Sequence, residues 1–288
     1  MKKVLAIYFS GTGNSKKVLD LASEVLVKKG YDIDVVDVCK DEIKDLNQYD
    51  ILLVSYPIYA FNTPVPVISY VKRLAKAKKS LNCLILKNSG EHLFWNNVSS
   101  LQLKRILRSK GVTTFSEYHY LMPYSFVFRH SDYMAYRMIS AVKGRIALDI
   151  DEFLNGKMHQ YKWFFMERPF AVIFRIQRFG GRFNGRFYKV NDNCTKCNKC
   201  INNCPAHNIS IVDGKLKFGN HCLMCQKCAM YCPNQAISVG LFKRWQVGGA
   251  YSFKEQLEFQ KELKPKFCAK SYKKYFEECE NRSSANYE

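Results

Sequence analysis

Residues 4–15 read Val4-Leu5-Ala6-Ile7-Tyr8-Phe9-Ser10-Gly11-Thr12-Gly13-Asn14-Ser15. A short apolar run passes directly into glycines and small hydroxyl and amide residues, the pattern of a buried strand ending in a tight turn. Beyond it Val18, Leu21, Ala22 and Val25 recur at helical spacing and predict a helix over 14–29. Backbone N–H groups at such a helix N-terminus, with hydroxyls on both sides, can cradle a phosphate dianion. Two better-known loops fail. A Walker A loop needs a glycine followed by Lys-Ser/Thr, but Ser15 precedes Lys16. A dinucleotide fingerprint needs a third glycine where Lys16 stands. A strand–helix turn that binds nothing is the remaining alternative.

The same alternation continues outward. Further strands are expected over 33–38, 51–56, 83–86 and 115–121, with helices over 65–77, 101–110 and 134–154. With the first strand that makes five, and strands alternating with helices imply an α/β doubly wound parallel sheet covered on both faces. Near Gly156 the composition shifts. Residues 157–190 hold eight Lys or Arg against one acid, Glu167, together with ten aromatic residues. This stretch reads as a helix or two, broken at Pro169 and loosened at Gly180, Gly181 and Gly185. The expected organisation is 1–155, a linker 156–190, a cysteine-rich unit 191–240 and a Lys/Glu-rich extension 241–288. The extension is expected to be a surface helix with a frayed end.

Of 12 cysteines, eight fall in two runs. Cys194, Cys197, Cys200 and Cys204-Pro205 form one C-x2-C-x2-C-x3-C-P array, and Cys222, Cys225, Cys228 and Cys232-Pro233 repeat it 28 residues later. Lys199, Ile209 and Ser210 recur as Lys227, Ile237 and Ser238. Three thiolates at i, i+3 and i+6 can cap three irons of a cubane, while the fourth points away to the other cluster. One cluster is thus assigned to Cys194, Cys197, Cys200 and Cys232, the other to Cys222, Cys225, Cys228 and Cys204. Zinc on C-x2-C pairs is the competing reading, but it leaves the third cysteine and the duplicated proline unexplained. Cys39 and Cys83 read as core or sheet-edge residues, and Cys268 and Cys279, eleven apart, as solvated thiols. Only six apolar residues follow Met1-Lys2-Lys3, too few for a signal-peptide core. No run approaches the roughly 20 apolar residues of a membrane span. A cytoplasmic location is therefore expected, where cysteines more often hold metal than form disulfides.

The cysteine repeat resembles the bacterial two-cluster [4Fe-4S] ferredoxins, small α+β domains, over roughly 50 residues. It departs from them at Asn198 and Gln226, where many have glycine. The loop Ser10, Gly11, Thr12, Gly13, Asn14 and Ser15 resembles the FMN-phosphate loop of flavodoxins, and that resemblance covers 1–155. It implies FMN, with the isoalloxazine held by the loops after the third and fourth strands. These carry Pro57, Ile58, Tyr59, Ala60, Phe61 and Asn62, then Asn88, Ser89 and Gly90. Tyr59 and Phe61 are candidates to stack on the ring, with Phe94, Trp95 and Tyr124 behind them. Together the halves resemble the flavodoxin–ferredoxin fusions of the EFR1 family, which implies electron transfer.

Lys and Arg outnumber Asp and Glu by 45 to 25, a net +20, spread as +9 over 1–150, +5 over 151–190 and +6 over 191–288. Two oxidised cubanes and an FMN phosphate would add about −2 each, leaving about +14. A basic surface suits an acidic redox partner such as a ferredoxin, flavodoxin or reductase. No nucleic-acid-binding motif accompanies the charge. Peripheral contact with anionic membrane through Trp163, Phe164, Phe165, Phe170 and Phe174 is a further expectation. An electron carrier serving protein partners comes first. A flavin reductase acting on a small organic acceptor comes second, and a cluster-bearing sensor or nucleic-acid binder third.

Overall fold

The computed structural model describes residues 1–162, 167–254 and 266–284. Its central sheet has five parallel strands: β1 (Lys3–Tyr8), β2 (Asp32–Asp37), β3 (Ile51–Pro57), β4 (Leu81–Ser89) and β5 (Val112–Leu121). Their order is β2-β1-β3-β4-β5. This is the flavodoxin-like doubly wound arrangement, whose order reverses beside β1 and opens a crevice at the carboxyl ends of the strands. Val4 to Ile7 are fully buried in β1, as a strand covered on both faces requires. Edge strand β2 carries Asp32, Asp34 and Asp37, charges that discourage pairing with another chain. The β5 edge is covered instead. Its Glu117 N–H donates to the His159 carbonyl (2.8 Å), and its His119 N–H to Tyr161 Oη (2.9 Å).

Helices α1 (Asn14–Lys28) and α4 (Asp132–Leu154) cover one face, and α2 (Val65–Arg73) and α3 (Leu101–Ser109) the other. Successive β1 residues alternate between the two cores, Leu5 and Ile7 packing with Val67 and Leu103, Val4 and Ala6 with Val18 and Ile139. Strand β4 outruns the apolar signal where buried Lys87 and Asn88 extend it, and β5 starts earlier, at Val112. Glu117 bonds Lys104 Nζ (2.8 Å) and Lys87 Nζ (3.1 Å). Burial pushes its pKa up, but the two ammonium groups prevail and hold it at about 2. Helix α2 stops at Arg73 because Leu74 turns out of helical geometry, and Ala77 N–H bonds the Lys110 carbonyl instead (2.9 Å).

The basic aromatic stretch forms α5 (Glu167–Ile173) and α6 (Gln177–Gly185), joined by a 3₁₀ turn at Phe174–Ile176. Among the described residues helix runs through Pro169, Gly180 and Gly181, and α6 ends at Gly185. Pro169 lies in the first turn of α5, where a helix does not need its N–H. Gly180 and Gly181 lie inside α6. A Cβ on Gly181 would stand 3.1 Å from Met224, and one on Gly185 only 2.5 Å from Cys222 Cβ. These two glycines, four residues apart, let α6 press against the second cysteine array.

The cysteine-rich part is small and mixed: β6 (Lys189–Val190), α7 (Lys199–Asn202), β7 (Ile209–Val212), β8 (Lys215–Phe218), α8 (Lys227–Met230) and β9 (Ile237–Ser238). β6 pairs with β9 and β7 with β8, both antiparallel. The chain then returns to the sheet, and α9 (Ala269–Ser284) packs on α4. It buries Cys268, Tyr272, Tyr275, Phe276 and Cys279 against Leu121, Met134 and Met138. The expected solvated thiols are thus core residues, 0% and 4% exposed. Cys83 is buried in the sheet, and Cys39 half-buried beside it. Among the described residues no helix is long and apolar enough to cross a membrane.

Candidate functional site

Four loops at the carboxyl ends of β1, β3, β4 and β5 surround a cavity of about 190 Å³. Its walls include Ser10, Gly11, Thr12, Asn14 and Ser15 after β1, Pro57 to Ala60 after β3, and Asn88 to Glu91 after β4. The first loop is built mostly by its own polar groups. Gly13 takes φ +95° and donates its N–H to Ser10 Oγ (3.0 Å). Asn14 Nδ2 donates to the Pro123 carbonyl (2.8 Å), and Ser15 Oγ to Asn88 Oδ1 (2.7 Å). Ser10, Asn14 and Ser15 are therefore spent on holding the loop. Among the described residues no hydrogen bond engages the Thr12 hydroxyl. It and the N-terminal amides of α1 stay free for an anion, so the cradle fits a phosphate monoester.

Tyr59 lines the cavity from the tip of the β3 loop. It is fixed by a two-residue turn in which Tyr59 and Asn62 exchange both backbone hydrogen bonds (3.0 Å each). Ala60 and Phe61 occupy the turn at φ +43° and +57°. That geometry favours glycine, and each non-glycine residue in it costs about 1–3 kcal/mol. Three of the expected residues do not line this cavity. Phe61 packs on Phe174 (4.8 Å between centroids) and Trp95, away from the cavity. Asn62 Nδ2 donates to the Ala171 carbonyl (2.9 Å) and anchors α5. Gly13 shapes the loop without lining the cavity. Phe94 and Trp95 stack on each other (4.5 Å) outside it, whereas Tyr124 does line it.

Sequence reasoning missed part of the wall: Met122, Pro123, Ser125 to Val127, Glu91, Gln177 and Met224. The first group follows β5, and the rule that these sheets bind at strand carboxyl ends could have found it. Among the described residues Glu91 Oε2 has no hydrogen-bond partner, and burial raises its pKa. His130 braces Tyr124, its Nδ1 accepting the Tyr124 N–H (3.3 Å) and its Nε2 meeting Tyr272 Oη of α9 (3.0 Å). Burial pulls the His130 pKa down to about 4.

The two cysteine arrays repeat in backbone as well as sequence. Lys196, Asn198 and His207 have positive φ, and so do Met224, Gln226 and Gln235, each 28 residues on. Asn208 N–H donates to Cys204 Sγ and Ala236 N–H to Cys232 Sγ, both at 3.3 Å. Asn198 (φ +58°) and Gln226 (φ +61°) hold the left-handed conformation that glycine adopts without strain. The substitution of glycine therefore leaves the turn intact. Cys194, Cys197, Cys200 and Cys232 line one small cavity. Cys222 and Cys204 lie close enough to raise the pKa of Cys225 and Cys228, after burial as the main cause. Among the described residues no three His, Cys, Asp or Glu side chains converge as ligands of a single ion. Four thiols in each of two groups nevertheless match the donor set of a cubane, whose irons and sulfides spread the ligands apart.

The surroundings of the arrays differ. In the first, Cys197 is exposed, and the Lys199 backbone N–H draws its pKa down. In the second, Cys225 is buried and its pKa is pushed up to about 12. A Cβ on Gly11 would lie 2.6 Å from the Cys225 carbonyl and 2.7 Å from Tyr59 Oη. Tyr231, at the end of α8, donates to the Thr12 carbonyl (2.8 Å). The second array therefore sits on the anion loop and supplies Met224 to the cavity wall.

Comparison with family profiles and with curated proteins finds no match. Solved structures do resemble the chain. A flavodoxin of Streptococcus pneumoniae TIGR4 is 16% identical, covers 54% of this chain and 99% of its own, and has a TM-score of 0.40. An NADH:FMN oxidoreductase in its apo form is 18% identical, over 54% of this chain and 90% of its own, at 0.42. An FMN-dependent NADH-azoreductase from Bacillus anthracis, in complex with FMN, is 13% identical over 54% and 98%, at 0.40.

Proposed function

We propose that this is an electron-transfer protein that holds FMN in the sheet-end cavity and one [4Fe-4S] cluster in each cysteine array, and serves an acidic redox protein. The observation that carries the reading is the contact of Cys225 and Tyr231 with Gly11 and Thr12. It makes the flavin site and the second array neighbours. The free amides of residues 11, 12, 14 and 15 and the Thr12 hydroxyl would hold the phosphate, with Tyr59 and Tyr124 beside the ring space. Cys194, Cys197, Cys200 and Cys232 would hold one cluster, and Cys222, Cys225, Cys228 and Cys204 the other. When bound, a flavin exchanges one or two electrons and a cubane one.

The chain's own contribution is placement. Tying both halves together replaces a diffusional encounter with a fixed neighbour. Burial of Cys225 keeps water from that contact, while the first array, with Cys197 exposed, is the side open to a partner. Divided at 155, 190 and 240, the chain would be a flavodoxin–ferredoxin fusion of the EFR1 kind. A second reading, a flavin reductase with its own organic acceptor, draws on a larger cavity of about 390 Å³ that shares Tyr59 and Gln177 with the first. Steady turnover of a metabolite as sole acceptor would select it.

Thr12→Ala tests the flavin half. Loss of one hydrogen bond to a charged group, about 1.5–3 kcal/mol, weakens FMN binding at least tenfold and leaves the iron content unchanged. An unaltered flavin affinity would remove the loop from the account.

A further inference from the structure

A surface helix normally turns its apolar face inward. The α5–α6 segment does the reverse. Ala171, Gly181, Asn184 and Gly185 are buried, while Ile173 (61% exposed), Ile176 (69%), Phe179 (69%), Phe183 (56%) and Phe187 (38%) face solvent. Their spacing of three, three, four and four keeps them on one stripe. Arg175, Arg178, Arg182 and Arg186 follow at three, four and four, forming the next stripe round the helix.

These arginines lack carboxylate partners among the described residues. Arg175 Nε reaches only the amide oxygen of Asn62 (3.3 Å), and an Arg178 amino group that of Gln102 (3.4 Å). Arg175, Arg178 and Arg182 line the 390 Å³ cavity, whose wall contains no acid. Burial and neighbouring guanidinium groups lower the pKa of Arg175 and Arg178, as expected of like charges that nothing neutralises.

We propose that α5–α6 docks this protein on an anionic lipid surface, its apolar stripe at the acyl boundary and its arginine stripe on headgroup phosphates. A bare apolar stripe flanked by cations is the pattern of an interfacial helix, and arginine stems can lie along the apolar surface while their heads reach phosphate. A protein partner would have to match five apolar side chains and four cations in register, whereas a bilayer offers both along any line. The contact differs from the one expected from sequence. Phe170 packs on Trp95 (4.9 Å) and Phe174 on Phe61, and Trp163, Phe164 and Phe165 lie outside the described residues. Lipid docking requires neither cofactor.

Sedimentation of the full chain with vesicles tests this. Vesicles containing phosphatidylglycerol should bind it and pure phosphatidylcholine vesicles should not, with binding weakened by salt. Ile176→Ser with Phe179→Ser should weaken partition at least tenfold. Arg182→Gln, an exposed change that leaves packing alone, should weaken it about fivefold. Three results overturn the proposal: equal partition of wild type and both variants, no vesicle binding by wild type, or a dimer in solution that the stripe variants dissolve. Full displacement from vesicles by millimolar inorganic phosphate would also overturn it, because it would mark a small-anion site instead.

Discussion

The two cysteine arrays share spacing, proline and left-handed turns, yet one lies at the surface and the other beneath the sheet-end cavity. Cys197 is open to solvent, whereas Cys225 is buried against Gly11, which also faces Tyr59 Oη. An internal repeat fixes which atoms can ligate, and tertiary contacts fix what those atoms feel. Because solvent exposure and hydrogen bonds to sulfur tune cluster potentials, identical motifs here need not behave identically.

The strongest cut through this comparison is a pair of serine substitutions. Cys197→Ser should lower iron from about eight to about four per chain and leave flavin affinity alone. Cys225→Ser should cost the same iron and weaken flavin binding too, measured by iron assay and flavin titration. Equal flavin effects would erase the distinction between the arrays. Next in size is Gly11→Ala, whose methyl group would collide with the Cys225 carbonyl 2.6 Å away. Overpacking there should destabilise by about 1–3 kcal/mol in urea denaturation. Gly180→Ala, with nothing within 4 Å, should be neutral or stabilising by up to about 1 kcal/mol.

Acid probes two buried histidines, His130 behind Tyr124 and His92 stacked on His119 (4.6 Å between centroids). His92 and His130 are held by burial at about 4 in the folded protein, against about 6.5 unfolded. Above pH 6.5 both states leave them neutral. Below it the unfolded chain gains protons that the native state refuses, so stability falls from about 6.5 to about 4. Glu117, held at about 2, contributes above its unfolded value and loses that contribution only as the pH falls from about 4.3 through 2. Thermal melts against pH should therefore slope first in the histidine window, and His130→Gln should flatten that slope. A modest effect is expected of Tyr231→Phe, which removes the bond to the Thr12 carbonyl and should cost about 1 kcal/mol.

Much of this was legible in the sequence. Apolar runs and Gly-rich turns located every strand of the sheet, and the 28-residue cysteine repeat is matched by a repeat of left-handed turns. What stayed hidden depended on packing between distant segments. Gly181 and Gly185 read as points where a helix loosens, yet they serve a close approach to Cys222 that only tertiary structure reveals. The lysines and glutamates of α9 masked Cys268, Tyr272, Tyr275 and Cys279, an apolar stripe at three- and four-residue spacing. Phe61 and Asn62 matched a ring-binding loop by position, but α5 claimed them.

The central claim is that one chain houses a flavin and two cubanes. Anaerobic reconstitution with iron, sulfide and FMN, followed by metal and flavin analysis of the desalted protein, tests it most directly. The account predicts about eight iron, about eight sulfide and one FMN per chain. Stable zinc in place of iron, or a protein that retains no flavin, would contradict it.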